Sequence, residues 1–178
     1  MPRHIAFLRA VNVGGRVVKM DLLRTLFEKL GHTEVETFIA SGNVIFESRS
    51  KNVKSLERAI EARLRDALGY EVTTFLRTPA ELAGILKFEP FPKSPRAKGD
   101  SLYIGFLAEA PAAAAVRALE ACTSGDEEFR VRGRELYWLL RGNFRDSKFS
   151  GARLEKMLGT RATIRNVTTV EKLAAKYA

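Results

Sequence analysis

At 178 residues, 46% of them hydrophobic, the chain can bury a sizeable core in one domain or in two small lobes. A formal net charge of +9 draws polyanions: nucleic acid, an anionic surface, or a phosphorylated or carboxylated ligand. No apolar run approaches the roughly 18 residues of a membrane span, and Cys122, the single cysteine, excludes an internal disulfide or a multi-cysteine metal site.

In chain order, residues 4–10 are short, apolar and rich in β-formers. They read as a strand, with no small-residue cleavage site of a secretory leader behind them. Residues 11–19 hold Asn12 and the Gly14-Gly15 pair, which punctuate a loop. Met20, Leu23, Leu26, Phe27 and Leu30 follow at helical spacing, and Gly31 ends that helix. Residues 35–40 and 44–47 read as strands joined by a hairpin at Ser41-Gly42-Asn43. Residues 52–68 read as an amphipathic helix with Leu56, Ile60, Leu64 and Leu68 in one stripe. A charged face of Lys54, Glu57, Arg58, Glu61, Arg65 and Asp66 lies opposite, as if solvated. Gly69 ends this helix, and a strand spans residues 70–77.

Thr78-Pro79 then sets an N-cap and a first turn for a helix to about residue 87. Pro90, Pro92 and Pro95 follow among basic residues, as in an irregular connector. Beyond it the order repeats. Strands are expected at 102–107, 129–132, 135–140 and 162–165, with helices at 111–121, 150–158 and 168–177. The fold class expected is therefore α+β, with two tandem ferredoxin-like βαββαβ lobes and extra helices. The first lobe takes residues 1–78, the helix and proline-rich connector 79–100, and the second lobe with its closing helix 101–178. The repeat is one of element order rather than of residues.

In a ferredoxin-like half the loop after the first strand and the hairpin between the second and third share an edge. Here that edge gathers Arg9, Asn12, Gly14, Gly15 and Arg16 with Ser41, Gly42 and Asn43. Adjacent glycines let backbone N–H groups approach a ligand, and a following helix N-terminus favours anions. Arg9 adds a forked donor, and Ser41 and Asn43 add neutral ones. The competing reading is turn chemistry alone.

In the second half the loop after the third strand and the end of the fourth are expected at one edge. They gather Arg141, Asn143, Arg145, Ser147 and Lys148 with Arg165, Asn166 and Thr168. Four cations among these residues make a phosphate- or nucleic-acid-facing patch. The plainer alternative is a basic loop with Thr168 capping the last helix and Asn166 in a turn.

Other signals are weak. Neither G-x-x-x-x-G-K-[ST] nor G-x-G-x-x-G occurs, and His4 and His32 lack a second ligand at metal spacing. No cofactor and no metal are expected. Phe7 and Phe46 sit where RNA-recognition sheets stack bases, but the third-strand motif is missing and strand one is apolar on both faces. They are expected in the core. Of Tyr137 and Trp138, on alternate faces of one strand, one is expected in the core and the other beside a groove.

Leu8-Arg9-Ala10-Val11-Asn12-Val13-Gly14-Gly15, Ser41-Gly42-Asn43-Val44, Ser147-Lys148-Phe149 and Thr163-Ile164-Arg165-Asn166 occur in a telling order. Their spacing resembles that of the bacterial domain-of-unknown-function family 1697, over residues 5 to about 173. The resemblance implies a compact α+β fold with duplicated ferredoxin-like lobes, and no established activity. Ala10, Ala40 and Val167-Thr168 depart from the family pattern, which usually has glycine, glutamine and Trp-Asn there.

Three functions compete: binding of a small anionic or phosphorylated ligand at the loop edges, a basic nucleic-acid-binding module, and a protein-interaction scaffold working through an exposed sheet edge. The ligand reading rests on Arg9, Asn12, Gly14, Gly15, Ser41, Gly42, Asn43, Lys148, Arg165 and Asn166. A cytoplasmic location is expected from the lone cysteine, and no membrane partner is.

Overall fold

The computed structural model describes residues 1–39 and 42–178, so Ser41 and the departure at Ala40 lie outside the described residues. The chain divides into two units, Met1–Leu82 with Tyr177–Ala178, and Ala83–Lys176.

The first unit contains β1 (Arg3–Leu8), α1 (Met20–Lys29), β2 (Thr33–Thr37), β3 (Asn43–Glu47), α2 (Val53–Leu68) and β4 (Thr74–Arg77); α3 (Pro79–Lys87) crosses the unit boundary. Its strands form one antiparallel sheet in the order β2-β3-β1-β4. Ala6, Leu8, Val44, Phe46 and Leu76 on one face pack with Leu23 and Phe27 of α1 and Leu56, Ile60 and Leu64 of α2. Burying each of these larger side chains contributes about 1.5–3 kcal/mol. Ile5, Phe7, Ile45 and Phe75 on the other face are buried as completely. This is why β1 is apolar at every position, and both Phe7 and Phe46 are core residues as expected.

The charged face of α2 is not wholly solvated. Glu57 is buried and accepts the Leu76 N–H at 3.1 Å, while Glu61 accepts the Thr74 N–H at 2.9 Å. These N–H groups belong to an edge strand, and two helix carboxyls satisfy them. Asn52 caps α2 by accepting the Ser55 N–H at 3.0 Å, and Gly69 ends it at φ +82°.

The second unit contains β5 (Ser101–Leu107), α4 (Ala113–Glu120), β6 (Glu127–Arg132), β7 (Glu135–Leu140), a 3-10 turn (Phe144–Asp146), α5 (Gly151–Leu158), β8 (Ala162–Asn166) and α6 (Val167–Tyr177). Its antiparallel sheet has the order β6-β7-β5-β8. Leu107, Leu136, Trp138 and Ala162 pack with Leu119 of α4 and Leu154 and Leu158 of α5. Tyr137 and Trp138 are both buried, so neither lines a groove from the sheet. The Tyr137 hydroxyl donates to the Ile85 carbonyl at 3.0 Å, and burial pushes its pKa up to about 12.

Each unit thus has the expected βαββαβ order, and an extra helix follows the last strand of each, α3 after β4 and α6 after β8. Strand register also gives the repeat a residue pattern. Ile5 opposes Arg77 across β1 and β4, and Ile104 opposes Arg165 across β5 and β8. Ile5-Ala6-Phe7-Leu8 therefore matches Ile104-Gly105-Phe106-Leu107. Backbone bonds at the strand ends match as well. Leu8 N–H donates to the Gly42 carbonyl at 2.8 Å, and Leu107 N–H to that of Arg134 at 2.9 Å. Arg9 N–H donates to Thr73 and Ala108 N–H to Arg161. Among the described residues no helix is long and apolar enough to cross a membrane.

Candidate functional site

The loop after β1 returns onto the hairpin, where Gly42 holds φ +80°. A Cβ there would stand 2.5 Å from Val11 Cγ2 and 3.2 Å from Leu8 Cβ, so this close approach needs glycine. Gly14 and Gly15 also take positive φ, but in open space. The polar residues of the edge are engaged within it. Asn12 Oδ1 accepts the Val18 N–H at 2.8 Å, and Asn43, fully buried, donates from Nδ2 to the Phe38 carbonyl at 2.9 Å. Arg9 is half-buried at the start of the loop. Ser41 falls outside the described residues.

The second constellation separates. Arg165 and Ile104 are register partners on the sheet face away from α4 and α5. The Arg165 guanidinium donates to Thr163 Oγ1 at 2.7 Å and to the Ile164 carbonyl at 3.1 Å, and burial lowers its pKa to about 10. Asn166 accepts the Thr168 N–H at 2.9 Å and so caps α6, the task expected of Thr168. Arg141 pairs with Glu128 at 2.7 Å and Asp100 at 3.8 Å, and donates to the Ser94 carbonyl at 3.1 Å. It ties the connector to the strand end.

Lys148 goes elsewhere. It lines a cleft of about 580 Å³ with Cys122, Ser124, Asp126, Glu127, Leu140, Gly142, Asn143, Asp146, Ser147, Phe149 and Arg153. Glu127, buried at the start of β6, accepts the Trp138 indole N–H at 2.8 Å and the Ser147 hydroxyl at 2.7 Å. Ser147 in turn accepts the Phe149 N–H at 3.0 Å. Arg153 donates to the Lys148 carbonyl at 2.7 Å and lies 4.4 Å over the Phe149 ring, which packs 4.6 Å from Phe129. These contacts fix residues 147–149 and leave the Lys148 side chain exposed.

Sequence reasoning started this strand at residue 129 and missed Glu127. An acidic residue at a strand start looks solvated, and only the indole of Trp138, eleven positions on, marks it as an acceptor. The run Ser147-Lys148-Phe149 was a usable signal, since the serine hydroxyl bridges Glu127 and the Phe149 N–H.

Elsewhere, a depression of about 330 Å³ on the first unit is lined by Arg58, Glu61, Arg65 and Glu71, whose charges offset. Burial raises the Glu61 pKa there. Among the described residues no three His, Cys, Asp or Glu side chains are placed to hold a metal ion.

A family model described as a protein of unknown function, DUF1697, matches residues 1–137. Among solved structures, the conserved bacterial protein SP0830 from Streptococcus pneumoniae has a TM-score of 0.75 at 20% identity. The alignment covers 99% of each chain, and it shows a shared fold. No curated protein matches.

Proposed function

The chain belongs to the DUF1697 family, and from its second-unit cleft we propose that it binds a small polar metabolite carrying a phosphate or carboxylate group. The observation that carries this reading is a metabolite-sized cleft, about 580 Å³, with the exposed ammonium of Lys148 on a loop that Ser147 and Arg153 hold in place. Lys148 would meet the anionic group as a point charge. Asp126, Asp146 and Asn143 would take hydroxyl or amino groups of the same ligand, because a purely anionic molecule would meet two exposed carboxylates. Phe149 and Leu140 offer an apolar wall. The net charge alone stands behind nucleic-acid binding.

The test is a thermal-shift screen of phosphorylated and carboxylated metabolites on the wild type, Lys148→Glu and Arg9→Ala. A hit should raise the melting temperature of the wild type and of Arg9→Ala, and Lys148→Glu should lose it. A silent panel, or a shift that Lys148→Glu retains, sinks the reading. Loss in Arg9→Ala alone would move the site to the first-unit edge.

A further inference from the structure

By strand register the two units hold counterpart clefts that differ in charge. Thr33 opposes Glu47 in the first unit, and Glu128 opposes Leu139 in the second, so His32 occupies the position of Glu127. The cleft beside His32, about 270 Å³ between the end of α1, the loop after β3 and the start of α2, is lined by no acidic residue. The second-unit cleft is lined by Asp126, Glu127 and Asp146 as well as by Lys148 and Arg153. The shared topology therefore does not demand carboxylates at this place. Resting on the reading that Lys148 meets an anion, we propose that the ligand is a zwitterion. It is a primary amine bearing a phosphate or carboxylate, with its ammonium on Asp126 and Asp146.

The charges of this cleft are held apart. Lys148, Asp126 and Asp146 all line it, yet among the described residues no ion pair joins any of the three to another charge. Each stands on its own fixed stretch of backbone. Ser124 closes the turn that carries Asp126, its hydroxyl oxygen accepting the Asp126 and Glu127 N–H groups at 3.3 Å each, and the Asp126 carbonyl accepts the Arg141 N–H at 2.8 Å. Asp146 stands on the 3-10 turn. Its N–H donates to the Asn143 carbonyl at 2.9 Å, and Asn143 Oδ1 accepts the Arg145 N–H at 3.1 Å. Ser147 and Arg153 hold the backbone of Lys148. Separated charges on ordered supports are set for a ligand before it arrives.

Charge complementarity then selects the ligand. Two cations against three carboxylates leave the lining one charge negative. Glu127 is already engaged through both oxygens, by the Trp138 indole and the Ser147 hydroxyl, which leaves Asp126 and Asp146 to face a ligand. An anion without an amine would satisfy Lys148 and be repelled by these two aspartates. An amine without an anion would do the reverse. A zwitterion answers both ends at once, and its ammonium offers three donors to carboxylate oxygens. The net charge of +9 draws any anion to the surface, whereas the two aspartates discriminate among those that arrive.

The experiment is an NMR titration of the full chain with ω-aminoalkyl phosphates of increasing length, each beside the alkyl phosphate of the same length. A parallel series uses ω-amino acids and alkanoates, all at matched ionic strength. Saturable shifts are expected in the amides of residues 124–127 and 143–149. The best amine should bind at least about tenfold tighter than its amine-free partner. Bulk attraction to the basic chain favours the amine-free compound, so it cannot produce that preference. The tighter of the two series assigns the anion as phosphate or carboxylate. Asp126→Asn/Asp146→Asn should abolish the preference, and Lys148→Glu should abolish binding of the amine-free compounds. Equal affinity in the wild type, or a preference that the double variant keeps, would overturn the zwitterion and leave Lys148 as an anion site. No saturable binding, or amine-free binding that survives Lys148→Glu, would overturn both.

Discussion

The two units share a topology, a strand register and the backbone bonds at their strand ends, yet they place different groups at the same point. In the first, His32 lies against Phe46 at 4.5 Å with Nε2 unpartnered among the described residues. In the second, the equivalent Glu127 is held by Trp138, the residue equivalent to Phe46, and by Ser147. A duplicated fold therefore fixes where a cleft forms, between the first helix, the loop after the third strand and the second helix. Which groups line that cleft differs with one buried polar residue and the aromatic ring beside it. An indole can donate to a carboxyl, and a phenyl ring can only stack.

Substituting leucine at each of these equivalent positions breaks the comparison most strongly. Glu127→Leu leaves the Trp138 N–H and the Ser147 hydroxyl without their acceptor. It should cost about 2–4 kcal/mol, read from urea unfolding followed by the fluorescence of the one tryptophan. His32→Leu removes a ring whose Nε2 makes no bond, and exchanges it for an apolar group of similar size. Its cost should stay under about 1 kcal/mol. Equal losses at both positions would show that Glu127 acts as packing and not as an acceptor.

Acidification should distinguish the units next. His4 and His32 flank Phe46, at 5.5 and 4.5 Å, and both are buried. Desolvation lowers both pKa values; for His4 the Ser50 backbone and Glu81 oppose it, and for His32 the His4 charge adds to it. The unfolded chain then binds more protons than the folded one. Stability of the first unit is full above the ordinary histidine value of 6.5, and is lost as pH falls from there through the folded values. Protection of first-unit amides, relative to their intrinsic exchange rates, should fall between about pH 7.5 and 5.5 more than that of the second unit, and His4→Asn/His32→Asn should flatten the dependence. A slope unchanged in the double variant would trace the acid sensitivity to carboxyls instead.

How much of this was legible follows from what sequence encodes locally. The order of strands and helices was readable, because apolar spacing, proline and glycine mark each element within a few residues. The Thr78 cap and the Gly69 stop were found for the same reason. The residue-level repeat went unread although Ile-x-Phe-Leu recurs at residues 5–8 and 104–107, because so short a match sets no alignment until strand register pairs Ile5 with Arg77 and Ile104 with Arg165. The grouping of the candidate site residues was not readable either. Lys148 and Arg165 lie at one end of a sheet by topology, but alternation sends Arg165 to the opposite face. Glu127 and His32 went unnoticed because burial and partners, not residue type, make them distinctive.

The smallest effect concerns the ends of α3 and α6, which the repeat makes equivalent. Thr78 and Glu81 bond reciprocally, with Glu81 N–H donating to Thr78 Oγ1 at 3.1 Å and Thr78 N–H to Glu81 Oε2 at 2.7 Å. Asn166 accepts the Thr168 N–H in the matching place. Thr78→Ala and Asn166→Ala should each cost about 1 kcal/mol, the ordinary worth of a cap. For Asn166 the second readout matters more than the first. A cap loses stability and leaves ligand affinity at Lys148 as it was, whereas a ligand donor loses affinity at little cost in stability. If Asn166→Ala weakened binding of a metabolite while its unfolding midpoint stayed put, the site would extend beyond the cleft to the sheet end, and the units would differ there too.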